Sequence, residues 1–266
     1  MPRYWTLGHR LPSLLSGYLF GHRHKFEFSH KENDPDWQEW QDFYMNFYQG
    51  TQKQGIGKKV NDAGYRILRR VDLTGKRVLE LGPGILPHRK FWNGKPLDYT
   101  VIDIKQEFLN DAVQVLQASH IPARSHLSTS VELPLENAEF DVILGFYCFE
   151  HFWPLSSYIA ELKRTLRPGG IVVGAIPTEG GLAWGTGRLL TSRPFIKRHS
   201  TLDFNKIICW EHPNFAETIL RELQSAFEPR LVRFWPLDLP LVDLNLIISF
   251  IYRKESPGEA IDHKDS

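Results

Sequence analysis

The residues of this sequence that could bind a nucleoside lie around one short glycine turn. Gly82-Pro83-Gly84 closely follows the carboxylate of Glu80, and a second carboxylate, Asp103, ends an apolar run about twenty residues further on. Glycine allows the positive φ and the close backbone approach that such a turn needs. A carboxylate at that position accepts two hydrogen bonds from the hydroxyls of an adenosine ribose, and the bare glycine backbone lets the ligand lie against the turn. The spacing therefore predicts an adenosine-binding site.

The residues after the turn argue against a dinucleotide as the ligand. A dinucleotide-binding turn needs a third glycine, in the pattern G-x-G-x-x-G, with the pyrophosphate at a helix N-terminus. Here Gly84 is followed by Ile-Leu-Pro-His, and Pro87 stiffens the place where a phosphate-binding helix would begin. The charge of Glu80 would also repel a pyrophosphate, whereas a cationic ammonium and sulfonium would tolerate it. A nucleotide-dependent oxidoreductase is therefore disfavoured.

Short apolar runs predict the strands that would hold the turn and the acid in place. The first run leads into the glycines, and the second ends on Asp103. The run 141–145 is nearly all apolar, which is typical of a parallel strand covered on both faces. Helical patterns separate the runs, so an α/β fold is expected. The predicted strands are, in chain order, 78–81, 99–103, 123–127, 141–145, 171–177, 231–236 and 244–252.

Four segments, in this order and spacing, resemble one protein family. They are 80–84 with the acid that follows it, 133–145, the Phe-Glu-His-Phe of 149–152, and 161–177 with its Arg-Pro-Gly-Gly. Together they resemble the class I S-adenosylmethionine-dependent methyltransferases, and among these the small-molecule branch, similar to ubiquinone-biosynthesis and sugar methyltransferases. The resemblance spans roughly residues 64–177. It implies a Rossmann-like methyltransferase fold: an α/β, doubly wound, seven-stranded, mostly parallel sheet, with an N-terminal helical extension and an insert after strand 5.

The resemblance implies S-adenosyl-L-methionine as the cofactor and assigns residues to its binding. Ile104, next to the ribose acid, is placed to pack on a face of the adenine. Relatives usually carry an Asp after the third strand that contacts the adenine amino group; here Thr129 or Ser130, or backbone groups, must make that contact. The predicted cofactor residues are Glu80, Gly82, Pro83, Gly84, Asp103, Ile104, Thr129, Ser130, Gly145 and Phe146.

Three histidines are candidates for the general base that a hydroxyl acceptor would need. His151 is the first candidate, because it follows the fourth strand, whose end borders the methyl-transfer site, and because histidine titrates near neutral pH. His212 and His199 come second, since the segment after strand 5 could fold over the same pocket. For each histidine, capping or packing on a helix is the structural alternative.

Two acid–histidine pairs raise the question of a metal site. Glu150-His151 and Glu211-His212 carry side chains that a divalent cation accepts as ligands. Some methyltransferases direct Glu-x-x-Glu-His toward a metal, but Tyr147 stands where the first Glu would be. We therefore expect no metal.

The expected acceptor is the oxygen or nitrogen of a small molecule, such as a sugar, a lipid-like molecule or a polyketide metabolite. Nucleic-acid amino methyltransferases carry Asp/Asn-Pro-Pro-Tyr/Phe after the fourth strand, whereas this sequence has Gly-Phe-Tyr-Cys at 145–148, and its net charge is only +1. Nucleic acid is therefore not expected. The segment 178–209 contains four glycines and is expected to be a long loop. It is locally basic and would suit an anionic substrate, with a solvated basic face as the alternative. A non-catalytic cofactor-binding module of the same fold is the alternative function.

The chain is expected to divide into three parts. Residues 1–57 form an N-terminal arm and helical lid, 58–254 the methyltransferase domain with insert 178–210 as a substrate lid, and 255–266 a polar tail. The arm is basic and aromatic; it could contact an anionic membrane or an acidic partner, but packing over the domain is favoured. Aromatic residues recur at helical spacing from Trp37 onward, and the candidate lid residues are Tyr44, Tyr48 and Gln52.

Composition sets the remaining expectations. Hydrophobic residues make up 42% and charged residues 24% of the 266, as in an ordinary globular protein. The two cysteines, Cys148 and Cys209, provide no disulfide framework, so a reducing compartment is expected. The apolar stretch 11–20 is interrupted by Pro12 and Gly17 and lacks a small-residue cleavage site, which makes it a poor signal peptide. We expect a cytoplasmic protein, and the sequence leaves its oligomeric state open.

Overall fold

One mixed sheet organises the part of the chain that the computed structural model describes, residues 4–27, 32–47 and 55–256. The order across the sheet is β3-β2-β1-β4-β5-β7-β6. Strands β1 to β5 are mutually parallel, and β7 runs antiparallel to both of its neighbours. The predicted α/β, seven-stranded, mostly parallel fold is confirmed. The strands are β1 Arg77–Leu81, β2 Asp98–Asp103, β3 Ala123–Leu127, β4 Phe140–Phe146, β5 Leu166–Pro177, β6 Glu228–Trp235 and β7 Ile247–Arg253.

Nine α-helices lie in the described ranges. Four of them, α3, α4, α5 and α9, belong to the sheet's own α/β framework, and α6 to α8 form the insert after β5. None of the helices in this part of the chain combines the length and apolarity that crossing a bilayer would require. The helices are α1 Ser13–Phe20, α2 Pro35–Phe47, α3 Gly55–Tyr65, α4 Gln106–Gln117, α5 Leu155–Thr165, α6 Leu182–Leu190, α7 Ser192–His199, α8 Phe204–Glu211 and α9 Ala216–Ala226.

The central strands are buried because helices cover both faces of the sheet. Successive residues of a strand point to opposite faces. Leu79 of β1 packs in a cluster with residues of α5 and α9, whereas Val78 packs with residues of α3 and α4 on the other side. Since both faces are apolar, β1 and β4 lie at the centre of the molecule, and polar groups reach solvent only at the strand ends.

The segment after β5 is helical, although its glycines led us to expect a long loop. Gly180, with φ of +87°, makes the turn into α6, as expected of glycine. Gly185 has a different task, because a Cβ at that position would lie 2.7 Å from the ring of Phe20 in α1. Glycine there permits close helix–helix packing rather than a turn, and sequence spacing does not distinguish the two uses.

A second difference concerns Arg167-Pro168-Gly169-Gly170, which we expected to be a turn between α5 and the fifth strand. The structure includes these residues in β5, and the register with β4 shifts between Phe140 and Val142. Gly169 has φ of +76°, so it bends the strand, while its N–H still bonds to the carbonyl of Lys254 at 2.9 Å. The bend is accommodated within the sheet.

The aromatic face of α2 packs against the insert. Trp40 is buried in a cluster with residues of α7 and α8, and the ring of Trp37 lies 6.1 Å from that of Trp210. At the far end of α2, the ammonium of Lys105 lies 4.2 Å from the ring centre of Tyr44. Because Lys105 follows Asp103 closely, α2 extends from the insert to the edge of the predicted ribose site. The candidate lid residues Tyr48 and Gln52 lie outside the described residues.

Candidate active site

The glycine turn follows β1 and lies against the loop that follows β4. Gly82 and Gly84 have φ of +64° and +51°, a region that disfavours side chains. A Cβ on Gly82 would also lie 3.2 Å from the Cβ of Cys148. The turn therefore needs glycine for its conformation, and at Gly82 also for a close neighbour. It leaves exposed backbone on which a nucleoside can rest.

Asp103 ends β2, the strand next to β1. Its Oδ1 accepts the backbone N–H of Lys105 at 2.9 Å, and within the described ranges no side chain donates to it. Burial raises the pKa of Asp103 to about 6, although nearby backbone N–H groups act in the opposite direction. A half-buried carboxylate without a side-chain donor fits the hydroxyl pair of a ribose, which would supply further hydrogen bonds.

The residues predicted for the adenine lie beside Asp103. Ile104 is 63% exposed, an unusual position for a large aliphatic side chain, and it can cover one face of a planar ring. The backbone N–H of Ser128 bonds to the carbonyl of Asp103 at 3.1 Å, which brings the loop after β3 to this edge. Thr129 and Ser130 are exposed on that loop. Their contact with adenine stays a prediction.

Glu80 is buried in a hydrogen-bond network that sequence reasoning missed. Its Oε2 accepts from the hydroxyl of Tyr99 and its Oε1 bonds to Nε2 of His88, both at 2.6 Å. Nδ1 of His88 accepts from the indole N–H of Trp92 at 2.9 Å. Because an indole can only donate, Nδ1 carries no proton and Nε2 is the nitrogen that donates to Glu80. Both oxygens of Glu80 therefore already have partners, and its contact with the cofactor stays a prediction.

Gly145 and Phe146 are the last two residues of β4. A Cβ on Gly145 would lie 2.5 Å from the ring of Phe149. Phe146 is buried, with its ring centre 5.2 Å from that of His88 and 5.3 Å from that of Tyr65. The structure thus places the Phe146 side chain against the Glu80 network, so a cofactor contact at these two positions would involve backbone. That contact also stays a prediction.

His151 follows β4 and binds the end of α8. Its Nδ1 meets both the backbone carbonyl and the carboxylate of Glu211, the latter at 3.3 Å. The other carboxylate oxygen of Glu211 accepts from the indole N–H of Trp40 in α2. Burial alone would lower the pKa of His151, but its hydrogen bond to Glu211 and the charge of Glu150 raise it to about 9. His151 is therefore a cation at neutral pH.

His212 lies beside His151 with the opposite titration behaviour. Its Nδ1 lies 2.8 Å from Oε2 of Glu179, which is two positions after the end of β5. Burial lowers the pKa of His212 below its ordinary value, although Glu179 acts against this. Since an ionised Glu179 can only accept, Nδ1 of His212 carries the proton and donates it, so Nε2 of a neutral His212 keeps a free lone pair.

Glu179 is held as an anion by a buried arginine. Arg188 of α6 places two guanidinium nitrogens on its two carboxylate oxygens, one at 2.9 Å, and the indole N–H of Trp184 donates to it at 3.0 Å. Burial alone would raise the pKa of Glu179, yet Arg188 and His212 hold it far below its ordinary range. Sequence reasoning counted Arg188 as part of a basic face and did not assign Glu179. The signal was its position, since ligand-binding residues follow the strand ends of such sheets.

Two further contacts fix the positions of the paired histidines. The side-chain amide of Asn214 donates to the carbonyls of Phe149 at 3.2 Å and Phe152 at 2.6 Å, which joins the two loops. Arg23, from the N-terminal arm, donates to the carbonyls of His212 and Pro213. The imidazole rings of His151 and His212 are 4.7 Å apart and perpendicular.

The ligand atoms of His151, Glu211 and His212 all lie within 4.8 Å of one another, a separation that a divalent cation could bridge. Against this, Nδ1 of His151 is bonded to Glu211, and its raised pKa means that a metal would have to displace a proton. The expectation of no metal therefore stays our prediction. Tyr147, on which the sequence argument rested, directs its hydroxyl to the carbonyl of Asn61 at 2.8 Å.

The other candidates are placed differently. His199 is exposed on α7, and its Nδ1 bonds to the carbonyl of Phe195 in the same helix. Among the described residues, no contact joins His199 to the histidine pair. Glu150, in contrast, is 2% exposed and its Oε2 has no hydrogen-bond partner in the described structure. Burial raises the pKa of Glu150 to about 7, against the opposing charge of His151.

Fold and site together define an α/β protein with a glycine turn, a carboxylate at the end of β2 and a histidine pair at the carboxyl edge of its sheet. Comparisons with known proteins then show which family part of the chain resembles. Residues 79–174 match the family described as "Methyltransferase domain". A protein of Mycolicibacterium smegmatis named "Probable S-adenosylmethionine-dependent methyltransferase" is 36% identical over 130 residues, which are 47% of this chain and 46% of that protein.

Two further comparisons agree. A phthiotriol/phenolphthiotriol dimycocerosates methyltransferase of Mycobacterium ulcerans is 32% identical over 116 residues, or 41% of this chain and 40% of that protein. The crystal structure of a SAM-dependent methyltransferase from Aquifex aeolicus has a TM-score of 0.52 at 12% identity, covering 79% of this chain and 97% of that one, and it shows the shared fold. The matches thus span less than half the length of these two curated relatives.

Residues 79–174 are thus similar to a methyltransferase domain, which supports the predicted resemblance to the class I S-adenosylmethionine-dependent methyltransferases. The cofactor of this class is S-adenosyl-L-methionine. The predicted resemblance, which began near residue 64 and ended near residue 177, includes the whole of the matched range.

Proposed function

We propose that this protein transfers the methyl group of S-adenosylmethionine to a hydroxyl of a small, lipid-like acceptor. The observation that carries the proposal is the pairing of His212 with Glu179, beside the loop that lies against the glycine turn. This is the arrangement of a general base whose other ring nitrogen is held by a carboxylate. The expected binding of a small-molecule substrate belongs to the same proposal.

The residues that would hold the cofactor fit it. Asp103 lacks donors that a ribose would provide, and Gly82 and Gly84 leave exposed backbone where an adenosine would lie. When bound, the cofactor supplies an electrophilic methyl group that a nucleophile displaces in line from sulfur. The contribution of the protein is then to orient the acceptor, exclude water and take the acceptor proton.

His212 is the better candidate for the base, although the sequence had placed His151 first. A base must be unprotonated at working pH, and the lowered pKa of His212 satisfies this, whereas a pKa of about 9 keeps His151 charged. We assign to His151 the complementary task of donating a hydrogen bond from Nε2 to the acceptor. Together they would hold the acceptor hydroxyl between a base and a cation.

The lipid-like class of acceptor is suggested by the relatives. Several are named as methyltransferases of phthiotriol and phenolphthiotriol dimycocerosates. The matched region is the cofactor domain, so their substrates support a class of acceptor rather than one compound. The exposed apolar segments near the site, described below, favour the same class.

Two measurements test the proposal. Calorimetry with S-adenosylhomocysteine should show binding that Asp103→Ala weakens about 100-fold, because two hydrogen bonds to a charged group are lost. Transfer of a labelled methyl group into lipid extracts should occur with the wild type. Binding without any labelled product would favour the alternative, a non-catalytic cofactor-binding module. No binding of S-adenosylhomocysteine would reject the proposal.

The cofactor site also predicts a pH dependence. The carboxylate form of Asp103 accepts hydrogen bonds better than the acid form, and its pKa without ligand is about 6. Affinity for S-adenosylhomocysteine should therefore fall as the pH drops below about 6 and level off above about 7. Asp103→Asn should bind weakly with no such dependence. An equal pH dependence in Asp103→Asn would assign the titration to another group.

A further inference from the structure

The exposed apolar side chains are concentrated in one part of the molecule. Of the fourteen large apolar side chains that are exposed in the described ranges, ten fall in the segments 5–18, 190 and 237–244. Leu14 and Leu190 are the most exposed, at 78% each. We call this set the apolar surface. Its members are Trp5, Leu7, Leu14, Leu15, Tyr18, Leu190, Leu237, Leu239, Leu241 and Leu244.

Specific contacts bring the three segments together. The carboxylate of Asp243 accepts the backbone N–H of Leu7 at 2.7 Å and that of Leu182 at 3.1 Å, which ties the arm and the start of α6 to the loop 236–246. Helix α1 packs on α6, and Arg193, just after α6, donates to the carbonyl of Tyr18 at 3.0 Å. The apolar surface is therefore formed by neighbouring segments.

The apolar surface lies at the same edge of the sheet as the histidine pair. Strand β6 runs parallel to β1, because both it and β5 are antiparallel to β7. The loop between the end of β6 and the start of β7 therefore lies at the carboxyl edge of the parallel strands. That edge also carries the glycine turn and the loop that ends at His151. A ligand on the apolar surface would be on the acceptor side of the molecule.

Helix α1 is unusual for a surface helix. It contains no charged residue, and Leu14, Leu15 and Tyr18 form an exposed face opposite the buried Gly17 and Phe20. A helix that is apolar on its outer face normally packs against something. The contacts with α6 and α8 cover only its inner side.

Two of the three segments of the apolar surface carry only basic charges. The segments 4–26 and 180–202 contain no Asp or Glu, and Lys197 and Arg198 of α7 are exposed. The acids of the third segment are already engaged, since Asp238 pairs with Arg233 and Asp243 receives the backbone N–H groups. Exposed leucine, tryptophan and tyrosine bordered by cations suit the interface of an anionic bilayer.

We propose that the apolar surface docks on a membrane that contains anionic phospholipid, with α1 and the loop 236–246 in the headgroup region. A second copy of the chain is the less suitable occupant, because self-association would bring the cations of α7 close to those of the other copy. Docking does not require turnover, so it can be tested separately from the proposed methyl transfer. If both hold, the acceptor side faces the membrane from which a lipid would enter.

Vesicle sedimentation tests the proposal with the full chain. The protein should pellet with vesicles of phosphatidylcholine and phosphatidylglycerol, and far less with phosphatidylcholine alone. Leu15→Glu should reduce the bound fraction at least about tenfold, because an apolar contact is replaced by a like charge. Leu97→Glu is the matched control, since Leu97 is 55% exposed against 53% for Leu15 but lies outside the apolar surface. It should bind as the wild type does.

A second variant addresses the cations. Lys197→Ala with Arg198→Ala should weaken binding about fivefold per cation removed, and added salt should weaken the wild type in the same way. Circular dichroism melting identifies any variant that does not fold. Equal pelleting of Leu15→Glu and Leu97→Glu would overturn the proposal. So would a stable dimer by light scattering that Leu15→Glu abolishes and that does not bind vesicles.

Discussion

Two carboxylate–histidine networks in this protein use the same residue types for different tasks. In the network after β1, Glu80 and His88 are both about 1% exposed, and every polar atom of the pair has a protein partner. In the network after β4 and β5, Glu179 is fully buried, but His212 and His151 are 21% and 35% exposed. The first network is closed, and the second is open on the side where an acceptor would lie.

The difference follows from where the partners come from. The closed network is made within one β–turn–β segment, where Tyr99 and Trp92 use up the bonding capacity of Glu80 and His88. The open network joins three distant segments, and the far nitrogen of each histidine remains without a partner in the described structure. A carboxylate–histidine pair is thus structural when every oxygen and nitrogen of the pair has a hydrogen-bond partner. It is available for chemistry when one imidazole nitrogen has no partner.

The largest expected effect comes from replacing His212, whose Nε2 is the proposed base of the open network. His212→Gln should lower kcat by about 10²–10⁴-fold, because the acceptor proton loses its base. Binding of S-adenosylhomocysteine should stay within about twofold of the wild type, since the cofactor residues lie elsewhere. Steady-state kinetics and calorimetry measure the two quantities. His199→Gln, a change on the exposed surface of α7, is the control and should leave both quantities unchanged. Unchanged kcat in His212→Gln would remove it from the mechanism.

A substitution in the closed network should instead lower the stability of the folded protein. Glu80→Gln replaces a carboxylate that accepts from both His88 and Tyr99 by an amide that can accept only on one side. We expect the free energy of unfolding to fall by about 3 kcal/mol. Glu211→Gln, in the open network, should lower the free energy of unfolding by about 1 kcal/mol. Urea denaturation of the two variants compares them directly. An equal loss in both would show that the distinction between closed and open is wrong.

A smaller effect is expected in the pH dependence of stability. The pKa of His151 is raised from its ordinary 6.5 to about 9. A raised pKa contributes stability that is fully present below about 6.5 and is lost as the pH rises to about 9. Glu211→Gln removes the main partner and should flatten this decline. Melting temperatures between pH 6 and pH 10 provide the measurement. A decline of the same size in Glu211→Gln would mean that His151 does not cause it.

The smallest expected effect is that of metal removal. We expect the raised pKa of His151 and the hydrogen bonds of the Glu211 carboxylate to disfavour a cation at this site. Dialysis against a chelator should leave methyl transfer unchanged within error. A loss of activity that a divalent cation restores would show that the open network is a metal site, and it would reassign His212 from base to ligand.

The sequence predicted the parts of the site that are built from neighbouring residues. β1, the glycine turn, β2 and Asp103 follow one another within thirty residues, so apolar runs and glycine spacing were enough to locate them. The same holds for the seven strands, whose predicted positions all overlap the observed ones. Local patterns carry this information because a strand or a turn depends mainly on its own residues.

The roles of the histidines could not be obtained in the same way. The sequence offered three candidates for the base, His151, His212 and His199. Their ranking depends on burial and on charged residues from distant segments of the chain. Glu179 and Arg188 hold His212, and Glu211 holds His151, across 24 to 60 positions of the chain. No spacing rule records such contacts.

The sequence by itself therefore predicted the class of domain, its cofactor and the position of Asp103 at the end of the second strand. Tertiary structure decided that both carboxylate oxygens of Glu80 have hydrogen-bond partners, that the glycine-rich insert is helical, and that His212 rather than His151 is neutral. The physical reason is that a pKa and a free lone pair depend on which groups share a low-dielectric site. Only folding brings those groups together.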